Sequence, residues 1–240
     1  MSGHQLLTGE THRTVRIRTD HGTALGDAVM YALVVPSEFR QVQAEYPILF
    51  RMNVERDGYH AFALLGFENG ENLFLNGNRW EARHRPLAID IQPFLIGGTA
   101  EEQGDKQIHI DMNHARIASD TDASVRVFDD TGRPTPFLES IAEKLGALDE
   151  GYREAAGFFA ALREHDLIEP MTLEITLDDG STNRLVGFHV VSESRLQALD
   201  GAALARLQEA DHLLPIFMAV ASLGRVGDLI ARKNQRNAGG

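Results

Sequence analysis

Short apolar runs alternate with turn signals through the first half of the chain, a pattern typical of antiparallel strands. The first run, residues 29–35, ends at Pro36, which cannot donate to a sheet ladder. Residues 48–54 and 59–66 flank an Asp57-Gly58 turn, where glycine supplies the positive φ that a hairpin turn needs. The pattern therefore predicts a β-hairpin over residues 48–66.

A second hairpin is predicted around Asn76-Gly77, the strongest hairpin dipeptide in the chain. Its strands are residues 72–75 and 78–80. Further strands are predicted at residues 87–91, 108–112 and 124–128. Residues 97–106 are rich in glycine and acidic residues, a composition typical of a mobile surface loop.

At Thr135 the apolar spacing changes to steps of three and four, which predicts an amphipathic helix. Thr135 can cap this helix, and Pro136 suits its first position. The apolar stripe consists of Leu138, Ile141, Leu145, Leu148, Tyr152, Ala155, Phe159 and Leu162. It fits one helix or a helix pair broken near Gly151. The stripe could pack on the core of the protein, or it could form an interface with a partner helix or a second copy of the chain. The glycines within the stripe lower its helix propensity, which favours packing on the core.

The strand pattern returns at residues 171–177 and 184–191, which flank an Asp179-Gly180 turn. Helical spacing follows to the end, including an apolar segment at 213–223 that predicts a buried helix. The order of strands, helix pair, hairpin and helices predicts an α+β fold with the C-terminal helices packed on the sheet. We expect a strand-rich section at 1–133 and helices with an inserted hairpin at 134–240, together forming one compact domain.

Composition narrows the classes of function. The 240 residues include no cysteine, which excludes disulfides, thiolate nucleophiles and thiolate metal sites. The net charge is −12, and residues 101–240 carry −10 of it, so nucleic acid and anionic lipid are disfavoured as partners. The basic residues near the end, Arg225, Arg232, Lys233 and Arg236, are interpreted as partners of a helix dipole.

The N-terminal residues lack a basic region followed by an apolar stretch, so we expect no secretory signal and a cytoplasmic location. Residues 213–223 are about half of the roughly 20 apolar residues that a membrane helix needs. We therefore expect no membrane insertion.

One set of residues fits a metal centre. His109 and Asp111 are two apart in a predicted strand, so they share a face, as two ligands of a His-carboxylate iron site would. His189 is a candidate third ligand, and Arg195 could pair with a carboxylate co-substrate. The alternative is that these are polar residues on the exposed face of a strand, and we expect no metal site and no cofactor. The glycines at 66–77 and 97–98 lack the strand–loop–helix context of a nucleotide site.

The richest candidate binding residues surround the second hairpin. They are Glu71, Asn72, Arg79, Trp80 and Arg83. A tryptophan among carboxamides and guanidinium groups is suited to stacking on a sugar or aromatic ring, or to holding a peptide. The alternative is that Trp80 anchors the core while the Asn and Arg side chains satisfy turn backbone.

Many phrases of the chain, in order, resemble the SapC family. They include residues 31–39, 45–50, 63–67, 71–75, Trp80, 92–97, 134–138, 187–188 and 221–224, and together they span about His12 to Lys233. The family takes its name from a bacterial surface-layer protein. The resemblance implies gene groups with TonB-dependent receptors, flavin-dependent halogenase-like proteins and cupin-like proteins, and it brings no catalytic residues.

Two functions remain open. The first is a non-catalytic cytoplasmic accessory or binding protein of a bacterial surface or TonB-dependent uptake system. It would bind a small molecule or a protein, such as a halogenase-like partner or the receptor system, and could form a homodimer. The second is an enzyme: a non-haem iron oxygenase using His109, Asp111 and His189, or a protein-modifying enzyme acting with a halogenase-like partner.

Overall fold

The computed structural model describes residues 3–97, 106–118 and 124–239. The strands of this part are β1 His4–Leu6, β2 Arg16–Arg18, β3 Tyr31–Val34, β4 Ile48–Met52, β5 Tyr59–Leu64, β6 Leu75–Asn76, β7 Arg79–Trp80, β8 Phe94–Gly97, β9 Gln107–Asp111, β10 Ile117–Ala118, β11 Ser124–Arg126, β12 Ile168–Thr176 and β13 Thr182–Val191. The helices are α1 Phe39–Val42, α2 Leu87–Asp90, α3 Pro136–Glu164, α4 Glu193–Gln197, α5 Gly201–Glu209, α6 Leu213–Ser222 and α7 Arg225–Ala238, with 3-10 turns at Thr23–Leu25 and Pro36–Glu38. This confirms the predicted α+β class.

Contacts divide the chain into two units that are not consecutive in sequence. The first unit contains Met1–Ala28, Leu75–Trp80 and Leu87–Glu150. The second unit contains Val29–Phe74, Glu81–Pro86 and Gly151–Gly240. The helix α3 contributes residues to both units. The predicted sections at 1–133 and 134–240 stay a prediction.

The first unit contains small antiparallel sheets. Their strand orders are β1-β9-β8 and β10-β2-β11, beside the β6–β7 hairpin. Its core joins strand residues such as Ile17, Phe94 and Ile110 to Leu138 and Ile141 of α3. The N-terminal part of the predicted apolar stripe is therefore core.

The second unit is built on a five-stranded antiparallel sheet of order β12-β13-β4-β5-β3. Phe158 and Phe159 of α3 lie edge-on to Phe50 of β4, with ring centroids 6.5 and 5.1 Å apart. Both α3 rings are buried. The C-terminal part of the stripe is therefore core as well, except for Tyr152, which is half exposed.

The helix α3 runs unbroken through Gly151, so the helix pair is wrong and the single helix is confirmed. Gly151 has a packing reason to be glycine. A Cβ at this position would lie 2.6 Å from Val35 Cγ2 and 2.7 Å from Ser37 Oγ. The residue weakens helix propensity but permits a close approach that no side chain allows.

Two local features differ from the prediction. Residues 87–90 form α2 and not the predicted strand at 87–91, because a five-residue segment is too short to show a period that separates helix from strand, and Leu87 and Ala88 are good helix formers. The positive φ of the β4–β5 turn belongs to Arg56, at 61°, and not to Gly58. The predicted loop at 97–106 falls mainly on residues outside the described part.

The segment Leu213–Ala238 is long and apolar enough, by length and composition, to cross a membrane, a test that core helices of soluble proteins also pass. The structure divides it into α6 and α7 at Leu223–Gly224. On α6, Ile216 and Ala219 are buried, whereas Leu214 and Phe217 are half exposed. The helix predicted as buried is thus buried along one face only.

Candidate functional site

The second unit contains an open cleft of about 300 Å³ between the C-terminal part of α3 and the β4–β5 turn. Its polar and aromatic lining consists of Asn53, Asp57, Tyr59, His60, Tyr152, Phe159 and Arg163. Gly58 and three alanines, Ala155, Ala156 and Ala160, complete it. Because these helix residues recur at steps of three and four, they share one face of α3, and the alanines leave the space that larger side chains would fill.

One side of the cleft is a turn held by Asn53. Its Oδ1 accepts hydrogen bonds from the backbone N–H groups of Asp57 and Gly58, at 3.0 and 3.1 Å. Its Nδ2 donates to Asp57 Oδ1 at 2.6 Å. Arg56 takes the positive φ within this turn. The Asn53 side chain therefore fixes the conformation of this turn, which the sequence pattern predicted from the Asp57-Gly58 dipeptide.

The cation of the cleft is Arg163, in the last turn of α3. Its Nη1 donates a hydrogen bond to the backbone carbonyl of Asp57. Within the described part of the chain, the Arg163 guanidinium has no carboxylate partner. A guanidinium carries five N–H donors, so most of its hydrogen-bonding capacity remains after this one bond.

Aromatic rings form the other walls. The His60 imidazole is stacked on the Tyr152 ring, with centroids 5.5 Å apart and planes 22° apart. The Tyr59 ring is tilted against Phe159 at 6.1 Å and lies edge-on to His189 at 5.1 Å. Burial lowers the pKa of His189, and its Nδ1 is buried without a hydrogen-bond partner among the described residues. The neutral imidazole is the form that this environment favours.

The five predicted binding residues divide between the two units. Arg79 and Trp80 belong to the first unit, and Glu71, Asn72 and Arg83 belong to the second. Trp80 lies opposite Leu75 in the β6–β7 hairpin, which confirms that hairpin. Arg83 is exposed, and its backbone N–H donates to Glu45. The ligand-binding role of the set stays a prediction.

Glu71 and Asn72 have structural partners. Glu71 Oε2 accepts from the backbone N–H of Phe67 at 2.8 Å, and Glu71 Oε1 accepts from Lys233 Nζ at 2.6 Å. Buried Asn72 accepts from the backbone N–H of Phe74 at 3.0 Å. Gly66 allows this arrangement, because a Cβ there would lie 2.8 Å from the Glu71 carbonyl oxygen. The Asn72 contact matches the alternative interpretation, in which Asn and Arg side chains satisfy turn backbone.

Trp80 lies near a buried ion pair that no sequence motif predicts. Its ring lies edge-on to His21 at 6.1 Å. His21 Nδ1 is 3.5 Å from Asp27 Oδ2, and Asp27 Oδ1 is 2.6 Å from Arg116 Nη2. Both Asp27 and Arg116 are buried. Residues 89 positions apart form this pair, so no local motif could reveal it.

The residues of the hypothetical iron site divide between the two units. His109 and Asp111 lie in β9 of the first unit, whereas His189 lies in β13 of the second. Among residues 3–97, 106–118 and 124–239, no group of three histidine, aspartate or glutamate side chains is placed to hold a metal. Arg195 is paired with Asp166 at 2.5 Å and Glu169 at 3.3 Å, and these carboxylates occupy the position assigned to a co-substrate.

The cleft residues were not predicted as a site. Tyr152 was interpreted only as part of the apolar stripe, and Asp57 only as a turn residue. One signal was available: Tyr152 and Arg163 are eleven residues apart, which is close to three helical turns, with alanines between them on the same face. The β4–β5 side of the cleft follows only from the fold.

Fold and cleft together define an α+β protein with an open cleft of ligand size. The family model of SapC matches residues 7–229, nearly the whole chain, so the chain belongs to the SapC family. The resemblance found in the sequence is thus confirmed. None of the curated proteins or solved structures compared with the chain matches it significantly.

Proposed function

We propose that this protein is a non-catalytic ligand-binding protein of the cytoplasm, and that it is an accessory to a bacterial cell-surface or TonB-dependent uptake system. The observation that carries the binding function is the cleft of the second unit, where a guanidinium, a carboxylate, a carboxamide, an imidazole and the rings of Tyr59, Tyr152 and Phe159 surround an alanine-lined space. The accessory role is supported by membership of the SapC family, because the resemblance to that family implies gene groups of such systems.

The side chains of the cleft suit binding better than catalysis. The lining contains no serine, threonine, cysteine or lysine, and its carboxylate, Asp57, accepts a hydrogen bond from Asn53 within the turn. Its one imidazole, His60, is stacked on Tyr152. Aromatic faces, an amide and a guanidinium hold a ligand by stacking and hydrogen bonds, which is the composition typical of small-molecule sites.

The proposed protein partners are a TonB-dependent receptor system or a halogenase-like protein. The protein is also proposed to form a homodimer with a second copy of this chain. The net charge of −12 disfavours nucleic acid. Sedimentation velocity tests the homodimer directly, because a monomer at micromolar concentration would remove that partner. Cell fractionation tests the cytoplasmic location.

The binding function is tested by native mass spectrometry of the protein purified from its own bacterium. We expect a retained small molecule on the natural protein. It should be absent from Ala156→Phe, which fills the cleft from an exposed helical position, and present on Arg206→Gln, a control at an exposed position of α5. A ligand on all three proteins, or on none, would contradict the proposed site. Conversion of that ligand by the isolated protein would favour an enzyme.

The accessory role is tested in cells. A strain lacking the protein should show an altered outer-membrane proteome among TonB-dependent receptors or surface proteins. Complementation with the natural chain or Arg206→Gln should restore it, whereas Ala156→Phe should not. An unchanged proteome in the deletion strain would argue against an accessory role even if the purified protein binds a ligand.

A further inference from the structure

We infer that the cleft takes a flat aromatic ring system bearing a carboxylate. This inference rests on the proposed function, because it assumes that the cleft is the ligand site. It adds the chemical class of the ligand, which follows from what lies at each end of the cleft.

One end of the cleft suits a carboxylate. A guanidinium binds a carboxylate through two parallel N–H donors, and Arg163 has one donor on the Asp57 carbonyl and no carboxylate partner in the described part of the chain. That carbonyl bond also fixes the side chain before a ligand arrives, which reduces the entropy lost on binding. The Asp57 carboxylate, which also lines the cleft, accepts a hydrogen bond from Asn53 Nδ2.

The rest of the cleft suits a flat ring system. The Tyr152–His60 stack and the Tyr59–Phe159 pair present ring faces and edges, which prefer offset or edge contacts with a further aromatic ring. The small side chains of Ala156 and Ala160 leave space for a ring system beside these aromatic side chains. Tyr152 and Arg163 are eleven residues apart, about 16 Å along the helix axis, which favours two fused rings over one.

The test uses 2-naphthylacetate as the probe in isothermal titration calorimetry. Two comparison compounds each remove one feature: 2-naphthylacetamide lacks the charge, and dodecanoate keeps the carboxylate and the carbon number but lacks the rings. We expect saturable binding of 2-naphthylacetate at one site per chain, and affinity lower by about tenfold or more for each comparison compound.

Variants assign the two ends. Arg163→Gln should weaken 2-naphthylacetate about tenfold or more and leave 2-naphthylacetamide unchanged. Tyr152→Leu should weaken both naphthyl compounds about three- to tenfold and leave dodecanoate unchanged. Arg206→Gln on α5 is the matched control for loss of an exposed arginine and should bind as the natural protein does. Circular dichroism checks that each variant is folded, and Tyr152→Met, also without a ring, replaces Tyr152→Leu if the latter is not.

Three results would overturn the inference: no saturable binding of 2-naphthylacetate, equal affinity for all three compounds, or unchanged affinity in folded Arg163→Gln. Failure of the proposed function is recognised separately. If native mass spectrometry finds a ligand that Ala156→Phe loses while 2-naphthylacetate does not bind, the cleft is the site and the ligand class is wrong. If Ala156→Phe keeps the cellular ligand, the proposed site itself fails.

Discussion

At the residue scale, the glycines of α3 show that one residue type can have opposite roles in one helix. Gly151 is buried against Val35 and Ser37, where an added Cβ would lie closer than 3 Å to both side chains. Gly146 is exposed, and nothing lies within 4 Å of the position of its Cβ. Glycine has a low helix propensity and therefore lowers helix stability at both positions. Only at Gly151 does the missing side chain permit close packing against neighbouring residues.

We therefore expect opposite effects of the same substitution on the free energy of unfolding. Gly146→Ala should raise it by about 0.5–1 kcal/mol through helix propensity alone. Gly151→Ala gains the same propensity but must displace the buried Val35 side chain, so a net loss of about 1 kcal/mol is expected. Urea denaturation of both variants measures the difference. Equal stabilisation by the two would show that the approach of Gly151 to residues 35–37 is not tight.

Glu71 and Asn72 were predicted to bind a ligand because their neighbours in the sequence resemble a binding site. In sequence, a carboxylate and a carboxamide beside tryptophan and arginine residues are typical of a binding site. Their actual partners, the backbone N–H groups of Phe67 and Phe74, lie two to four residues away, and the ammonium of Lys233 lies 162 residues away. Local side-chain bonds to backbone are readable in principle, whereas a partner on a distant helix is not.

At the scale of elements, α7 is attached through its basic side chains. Lys233 Nζ bonds Glu71 at 2.6 Å and Glu68 at 3.1 Å. Arg232 lies over the Phe74 ring at 4.5 Å and pairs with Glu81, and Arg236 Nη1 donates to the Asn72 carbonyl. The helix-dipole interpretation of these residues was therefore incomplete, because most of them bind residues 68–81 directly.

Removal of Lys233 should be costly. Burial alone lowers the pKa of an ammonium, but hydrogen bonds to Glu71 and Glu68 outweigh it, and the pKa of Lys233 is raised. Lys233→Met leaves the Glu71 carboxylate buried without its cation, and we expect a loss of about 2–3 kcal/mol in unfolding free energy. A double-mutant cycle with Glu71→Gln should give a coupling of about 1 kcal/mol or more.

The matched control lies on the same helix. The Arg225–Asp228 pair is exposed, so Arg225→Gln should cost no more than about 0.5 kcal/mol. Comparable losses in Arg225→Gln and Lys233→Met would mean that the charge of α7, and not the buried contact with Glu71, stabilises the helix.

Elements with a clear period or turn dipeptide were the predictable part of the fold. All three predicted hairpins are present, and α3 begins at Pro136, but β6–β7 turns at residues 77–78 and not at Asn76-Gly77, so Asn76 is paired with Arg79. Short strands such as β1, β2 and β10 were missed, because two or three residues are too few to show alternation. The cleft needs the pairing of a helix face with a distant turn, which periodicity alone does not specify.

At the scale of the whole molecule, several partly buried histidines couple folding to pH. Burial lowers the pKa of His114, and the nearby Arg116 lowers it further. Burial also lowers the pKa values of His189 and His212. Each of these imidazoles is therefore harder to protonate in the folded state than in the unfolded chain, whose histidines have a pKa near about 6.5.

Protonation of these histidines therefore destabilises the folded state relative to the unfolded chain. Below about pH 6.5 the unfolded chain binds more protons at these sites than the folded protein does, so the unfolding free energy falls as the pH decreases through the lowered folded pKa values. The carboxylates Asp20, Glu68, Asp129, Glu169 and Asp179 add to this at lower pH, because their hydrogen bonds lower their pKa values. We expect stability to begin falling between about pH 6.5 and 5, before the carboxylates titrate.

His189 offers the sharpest test of this coupling, because its Nδ1 is buried without a partner among the described residues. Phenylalanine has a similar shape and no polar atom, so His189→Phe should keep the unfolding free energy at pH 7.5 or raise it, and should reduce its decline toward pH 5.5. Urea denaturation at pH 7.5, 6.5 and 5.5 measures this decline, with Arg206→Gln as a surface control. An undiminished decline in His189→Phe would show that protonation of His189 does not limit stability, and the acid sensitivity would then be assigned to His114 and His212.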